Sequence, residues 1–104
     1  MITVKPGETV IQHPEDVVVY RMLFADWSID LDRPENTAAR VTVASVRGVE
    51  PLQMRPLPYK PGTPAQDIRV TGGSKNGLYE VVRTVKSPTE VRRRAFLISV
   101  SGAL

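Results

Sequence analysis

Between residues 77 and 100 the chain reads G-L-Y-E-V-V-R-T-V-K-S-P-T-E-V-R-R-R-A-F-L-I-S-V, and apolar side chains recur there at period two. Tyr79, Val81 and Val85 share one face of the first run, and Phe96, Ile98 and Val100 share one face of the second. That period belongs to a strand with one face buried, because successive side chains of a strand point to opposite sides. Ser87-Pro88 separates the runs with turn-forming residues, so the stretch predicts a β-hairpin. Its inward positions, with Tyr20 and Met22 from an earlier apolar run, predict a core of Tyr20, Met22, Tyr79, Val81, Phe96 and Ile98.

The remainder agrees with an all-β chain. Nine prolines and seven glycines among 104 residues favour short strands and turns over long helices. The length suits a single domain over residues 1–104, with one modest core. The sequence has no cysteine, so stability has to come from packing or from partner subunits rather than from disulfides. No apolar run approaches the length of a membrane helix, and the first residues lack the charged and apolar blocks of a secretion signal. The expectation is a soluble chain made in the cytoplasm. Net charge is +3, unevenly spread: residues 1–46 carry four basic and seven acidic side chains, residues 47–104 ten basic and four acidic. This asymmetry reads either as a solvated surface or as charge complementarity between copies or with a neighbour.

In chain order, residues 2–12 read as an edge strand interrupted at Pro6-Gly7. Residues 13–16 read as a polar turn. Residues 17–24 read as a central strand, with Val18, Tyr20, Met22 and Phe24 on one face. An acidic turn over residues 26–35 follows, containing Asp26, Asp30, Asp32 and Glu35. Trp27, the single tryptophan, reads as a core or rim anchor, or else as an exposed contact. Residues 37–46 predict a strand, with Val41 and Val43 on one face, and residues 49–54 a short strand pairing with it as a hairpin. Residues 51–64 hold five of the nine prolines, which confines that segment to an edge or a crossover between sheets. It reads either as a stiff crossover or as an arm that lies on a neighbouring subunit through Leu57 and Tyr59. Residues 66–71 predict a half-buried strand with Ile68 and Val70 inward, and residues 72–77 a turn.

Groups able to carry catalysis are scarce. His13 is the only histidine, it precedes a proline in a turn, and no nucleophile motif accompanies it. The expectation is no enzyme, no cofactor and no metal, since the acidic turn lacks the register of a calcium loop. Arg92, Arg93 and Arg94, with Arg83 and Lys86 opposite, form the basic candidate. Alternation sends Arg92 and Arg94 to one face and Arg93 to the other, so the run does not line one phosphate track. Solvated or partner-paired arginines, and no nucleic acid, are expected.

Tyr79 stands two residues before Val81. This keeps the spacing between the tyrosine and the second cysteine of immunoglobulin-type sandwiches, with Val81 in the cysteine's place. It predicts an immunoglobulin-like antiparallel β-sandwich of about seven strands without its disulfide. More broadly, Asp26-Trp27-Ser28 after an apolar strand, Gly77-x-Tyr79-x-Val81, and Arg94-Ala95-Phe96-x-Ile98-x-Val100 resemble the small immunoglobulin-like phage fiber-tail adaptor proteins. The resemblance spans roughly residues 17–100. The chain departs from that pattern in its proline-rich segment and its single tryptophan. The resemblance implies a non-enzymatic virion component, in several copies, joining tail or neck to fibers or to neighbouring ring proteins. Its partners would be other virion proteins, with no nucleic acid and no membrane. Contacts are then expected from Leu57, Tyr59, Trp27, Asp30, Asp32, Arg92 and Arg94. The alternative is a free-standing immunoglobulin-like module that recognises a ligand or carbohydrate through loop residues such as Tyr59, Trp27, Gln53, Gln66 and Asn76.

Overall fold

The computed structural model describes residues 1–24, 41–58, 65–86 and 91–102. The described residues form eight strands: β1 (Ile2–Val4), β2 (Thr9–Gln12), β3 (Val17–Leu23), β4 (Val41–Arg47), β5 (Leu52–Pro56), β6 (Ala65–Gly72), β7 (Leu78–Lys86) and β8 (Val91–Val100). They form two four-stranded sheets, one ordered β1-β3-β6-β5 and the other β2-β8-β7-β4. No helix occurs among the described residues. The expected all-β class holds, but both sheets are mixed rather than purely antiparallel. β1 runs parallel to β3, and β2 runs parallel to β8.

The hairpin predicted over residues 77–100 is formed by β7 and β8, in register from Leu78 opposite Ser99 to Lys86 opposite Val91. Its turn, with Ser87 and Pro88, lies outside the described residues. The inward faces of the two sheets meet in one core, containing Tyr20, Met22, Phe24, Ile68, Val70, Tyr79, Val81, Val85, Phe96, Ile98 and Val100. All six predicted core residues are buried. Tyr20 and Phe96 join the sheets through tilted rings with centroids 5.3 Å apart, a geometry that aromatic quadrupoles favour over face-to-face stacking.

Two expectations about pairing are corrected. Residues 2–12 form two edge strands in different sheets, not one interrupted strand. The turn after Lys5, in which the Glu8 N–H donates to the Lys5 carbonyl, carries the chain across the sandwich. Pro6, with no N–H, sits where no ladder bond is needed. Residues 49–54 do not pair with the preceding strand either. β5 crosses to the other sheet and lies against β6, with Leu52 opposite Gly72 and Pro56 opposite Ile68.

The crossing has a local cause. Gly48 has φ 132°, a region open to glycine, and a Cβ there would stand 2.7 Å from the Tyr79 hydroxyl. The Val49 and Glu50 N–H groups both donate to Ser74 Oγ, and Tyr79 Oη donates to the Glu50 carbonyl. Groups that a tight hairpin would have used are therefore held by the turn between β6 and β7 and by Tyr79 beside it. β5 lies at the outer edge of its sheet, as its prolines require.

A third correction concerns the interior. Arg83, expected at the surface with the other basic residues, is 1% exposed on the inward face of β7 between Val81 and Val85. Its Nε donates to Gln66 Oε1 at 3.3 Å and its Nη1 to the Thr84 carbonyl. Gln66 is also buried, and its Nε2 donates to the Leu57 and Asp67 carbonyls. Near the opposite end, buried Gln12 of β2 donates to the Val70 carbonyl at 2.9 Å and to the Asp16 carbonyl. Its Oε1 accepts the Tyr20 hydroxyl at 2.7 Å. Each cluster spans the two sheets.

Candidate interaction surfaces

A two-sheet sandwich ends in four outer strands, whose unpaired backbone groups are templates for another chain unless something blunts them. Here β1, β5, β2 and β4 occupy those positions. β1 has three residues and is followed by Pro6; β2 has four and is followed by Pro14. β5 is bracketed by Pro51 and Pro58 and ends on Pro56. β4 is different: seven residues, V-T-V-A-S-V-R, with neither a proline nor a charge before Arg47. It pairs with β7 on one side, with a register irregularity between Ser45 and Arg47. On its other side no strand among the described residues joins it. Thr42, Ala44, Ser45 and Val46 are exposed, and just beyond them Val49 is 97% exposed.

The sequence-predicted contact residues divide into three groups. Trp27, Asp30, Asp32 and Tyr59 lie outside the described residues. Leu57 is half-buried just past β5; its N–H donates to the Asp67 carbonyl and its carbonyl accepts from Gln66. It is held to its own sheet at both backbone groups. Arg92 and Arg94 share the core-side face of β8 with Phe96, near the start of that strand. Arg92 is exposed. Arg94 is half-buried, with its guanidinium 5.5 Å from the centre of the Phe24 ring and its Nη1 donating to the Leu23 carbonyl. A cation above a ring face is attracted by the ring quadrupole, so Arg94 closes that end of the core between the two sheets.

Of the residues named for the ligand-reading alternative, Gln66 is buried and its amide is committed to backbone carbonyls. Asn76 sits in the turn before β7 at φ 62°, a left-handed position that asparagine tolerates. Among the described residues, no group of three or more His, Asp or Glu side chains is placed to hold a metal ion.

The outer face of the β1-β3-β6-β5 sheet carries charge, with Asp67 and Arg69 outward as the alternation over residues 66–71 predicts, and the register sets their partners. Arg21 of β3 pairs with Asp67 of β6 through two bonds, Nε to Oδ1 at 2.7 Å and Nη2 to Oδ2 at 3.0 Å. The contact raises the Arg21 pKa, first through the hydrogen bond and then through the carboxylate's charge. One position further along β6 on that face, Arg69 stands opposite Arg55 of β5. Composition could not show this, because it depends on the β5–β6 register.

Comparison with protein-family models, with curated proteins and with solved structures finds no match to this chain.

Proposed function

We propose that the chain is an immunoglobulin-like sandwich serving as a non-enzymatic structural connector of a bacteriophage particle, a fiber-tail adaptor joining tail or neck to fibers or ring proteins. The immunoglobulin-like assignment draws support from the two strand orders, which interlock as in that architecture, and from the Tyr79 hydroxyl, which accepts the Ser74 N–H five residues upstream. The parallel seat of β1 on β3 is a departure from it.

The observation that carries the functional reading is the β4 edge: long, uncharged up to its final Arg47 and rich in β-branched residues, while the other three edges are shortened or blunted by proline. An extended segment of a neighbouring subunit can add to such an edge through main-chain hydrogen bonds, taking its specificity from alternate side chains. Contacts of this kind, repeated over several copies in the virion, require neither cofactor, nucleic acid nor membrane.

The test places a charge on the open edge, where it discourages strand addition. Ala44→Lys and Val46→Lys alter exposed side chains, so each variant is expected to melt within about 4 °C of the parent, because such surface changes shift stability by at most ~0.5 kcal/mol. Each is also expected to be lost from assembled particles when these are purified and their proteins quantified. Incorporation at parental levels by both variants rejects the edge as the docking element.

A further inference from the structure

On the outer face of β5 and β6, Gln53, Met54, Arg55, Arg69 and Thr71 line a shallow groove of about 220 Å³. The antiparallel register sets Arg55 directly opposite Arg69 and Gln53 opposite Thr71. Because Ile68 and Val70 fill the inward positions of β6, the two arginines stand side by side on the solvent face. Like charges directly opposite in a ladder destabilise it. Among the described residues no carboxylate relieves this pair: Asp67 gives both oxygens to Arg21, and neither Arg55 nor Arg69 makes a salt bridge.

Two guanidinium groups converging on a concavity raise the local positive potential, and each is a planar fork matched to an oxyanion. The groove is several times the ~30 Å³ share of one water molecule in the liquid, so it has room for the group that carries the charge. Gln53 and Thr71 add an amide and a hydroxyl beside the charge.

We propose that Arg55 and Arg69, flanked by Gln53 and Thr71, form an oxyanion site that receives the carboxylate of an Asp or Glu side chain from a partner protein. The same sheet face already holds that chemistry within the chain, one pair away, in Arg21 and Asp67. The proposal supplies a second contact for the connector, and it rests on that reading only for the partner's being a protein. The anion site itself is tested on the purified domain.

The experiment follows the arginine Nε–Hε resonances at constant ionic strength. Sodium sulfate, an acetylated and amidated Gly-Glu-Gly peptide, and its Gly-Gln-Gly counterpart are each titrated in, with chloride as the balancing salt. The expected result is saturable shifts at Arg55 and Arg69 with sulfate and with the glutamate peptide. The glutamine peptide should give none, and Arg93 should not move. Arg55→Gln and Arg69→Gln, both exposed, are expected to weaken binding at least tenfold each, the loss of a charge-assisted contact. Saturation by sulfate without the glutamate peptide assigns the site to a free inorganic ion and overturns the protein carboxylate. Linear drift of all exposed arginines together overturns the site, and does so whether or not the chain is a virion protein.

Discussion

Gln12 and Gln66 both link the two sheets, and they do so with different chemistry. Gln12 reaches from β2 to the Val70 carbonyl and the Tyr20 hydroxyl, all neutral groups, and its amide is fully used. Gln66, four residues along β6 from Val70, instead presents its oxygen to a guanidinium. A buried neutral hydrogen bond contributes only about 1 kcal/mol net, whereas an ionised group in the interior carries a large desolvation penalty that its partners must offset. Without a covalent cross-link, both clusters act as pins that hold one sheet in place over the other. The neutral pin adjusts this alignment at small cost, and the charged one is severe when disturbed.

That contrast ranks the outcomes of disrupting each end. Arg83→Ala should cost about 2 to 5 kcal/mol in chemical denaturation, because it empties the space of a fully buried side chain and removes the donor to Gln66 Oε1; a loss below about 1 kcal/mol would show that the guanidinium's desolvation penalty nearly cancels its contacts. At the neutral end, pH is the next lever. Burial, and secondly the negative charge of Asp16, push the Tyr20 phenol up from 10.0 to about 12. The unfolded chain therefore gives up this proton first. Stability tied to neutral Tyr20 is whole below pH 10 and is lost as pH rises through 12, by about 2 to 3 kcal/mol. Unfolding measured at pH 8 to 12 should show this loss in the parent and not in Tyr20→Phe.

Gln12→Ala should cost about 1 to 3 kcal/mol, since it strips a buried hydroxyl and a buried carbonyl of partners. In a double-mutant cycle, Gln12→Ala and Tyr20→Phe should couple by at least ~0.5 kcal/mol, because the two side chains bond directly. Gln12→Ala combined with Arg83→Ala should add within ~0.5 kcal/mol, and stronger coupling would mean that the two pins are one network. Smallest of all, Asp67→Asn on the solvent face should cost no more than about 1 kcal/mol, and less in high salt.

The two pins also mark what the sequence allowed a reader to see. Period two identified Tyr79, Val81 and Val85 as inward, and the same count places Arg83 among them. A charged side chain inside an apolar run was instead grouped with the nearby arginines, because charge usually means solvent. Gln66 was missed in the same way, although it sits at the period of Ile68 and Val70. Both sheets' central strands were legible because their apolar faces are long. The β4-to-β5 step was not, because the bonds that turn it come from Ser74 and Tyr79, more than twenty residues away. Edges follow the same logic: proline places β5 on the outside, but that β4 has one neighbour among the described residues appears only from the strand order.

The parallel seating of β2 on β8 has a mechanical consequence. The Gly7 N–H donates to the Ala95 carbonyl, the Leu97 N–H to the Glu8 carbonyl and the Ser101 N–H to the Gln12 carbonyl, so these rungs lie in a row between strands that point the same way. A tension that pulls β2 toward its start and β8 toward its finish slides one strand along the other and strains every rung at once. An antiparallel pair pulled at one open end would instead unzip rung by rung. Once the three-residue β1 has been released, the load falls on this row, so a single-molecule pulling curve should show one high rupture peak rather than a gradual yield.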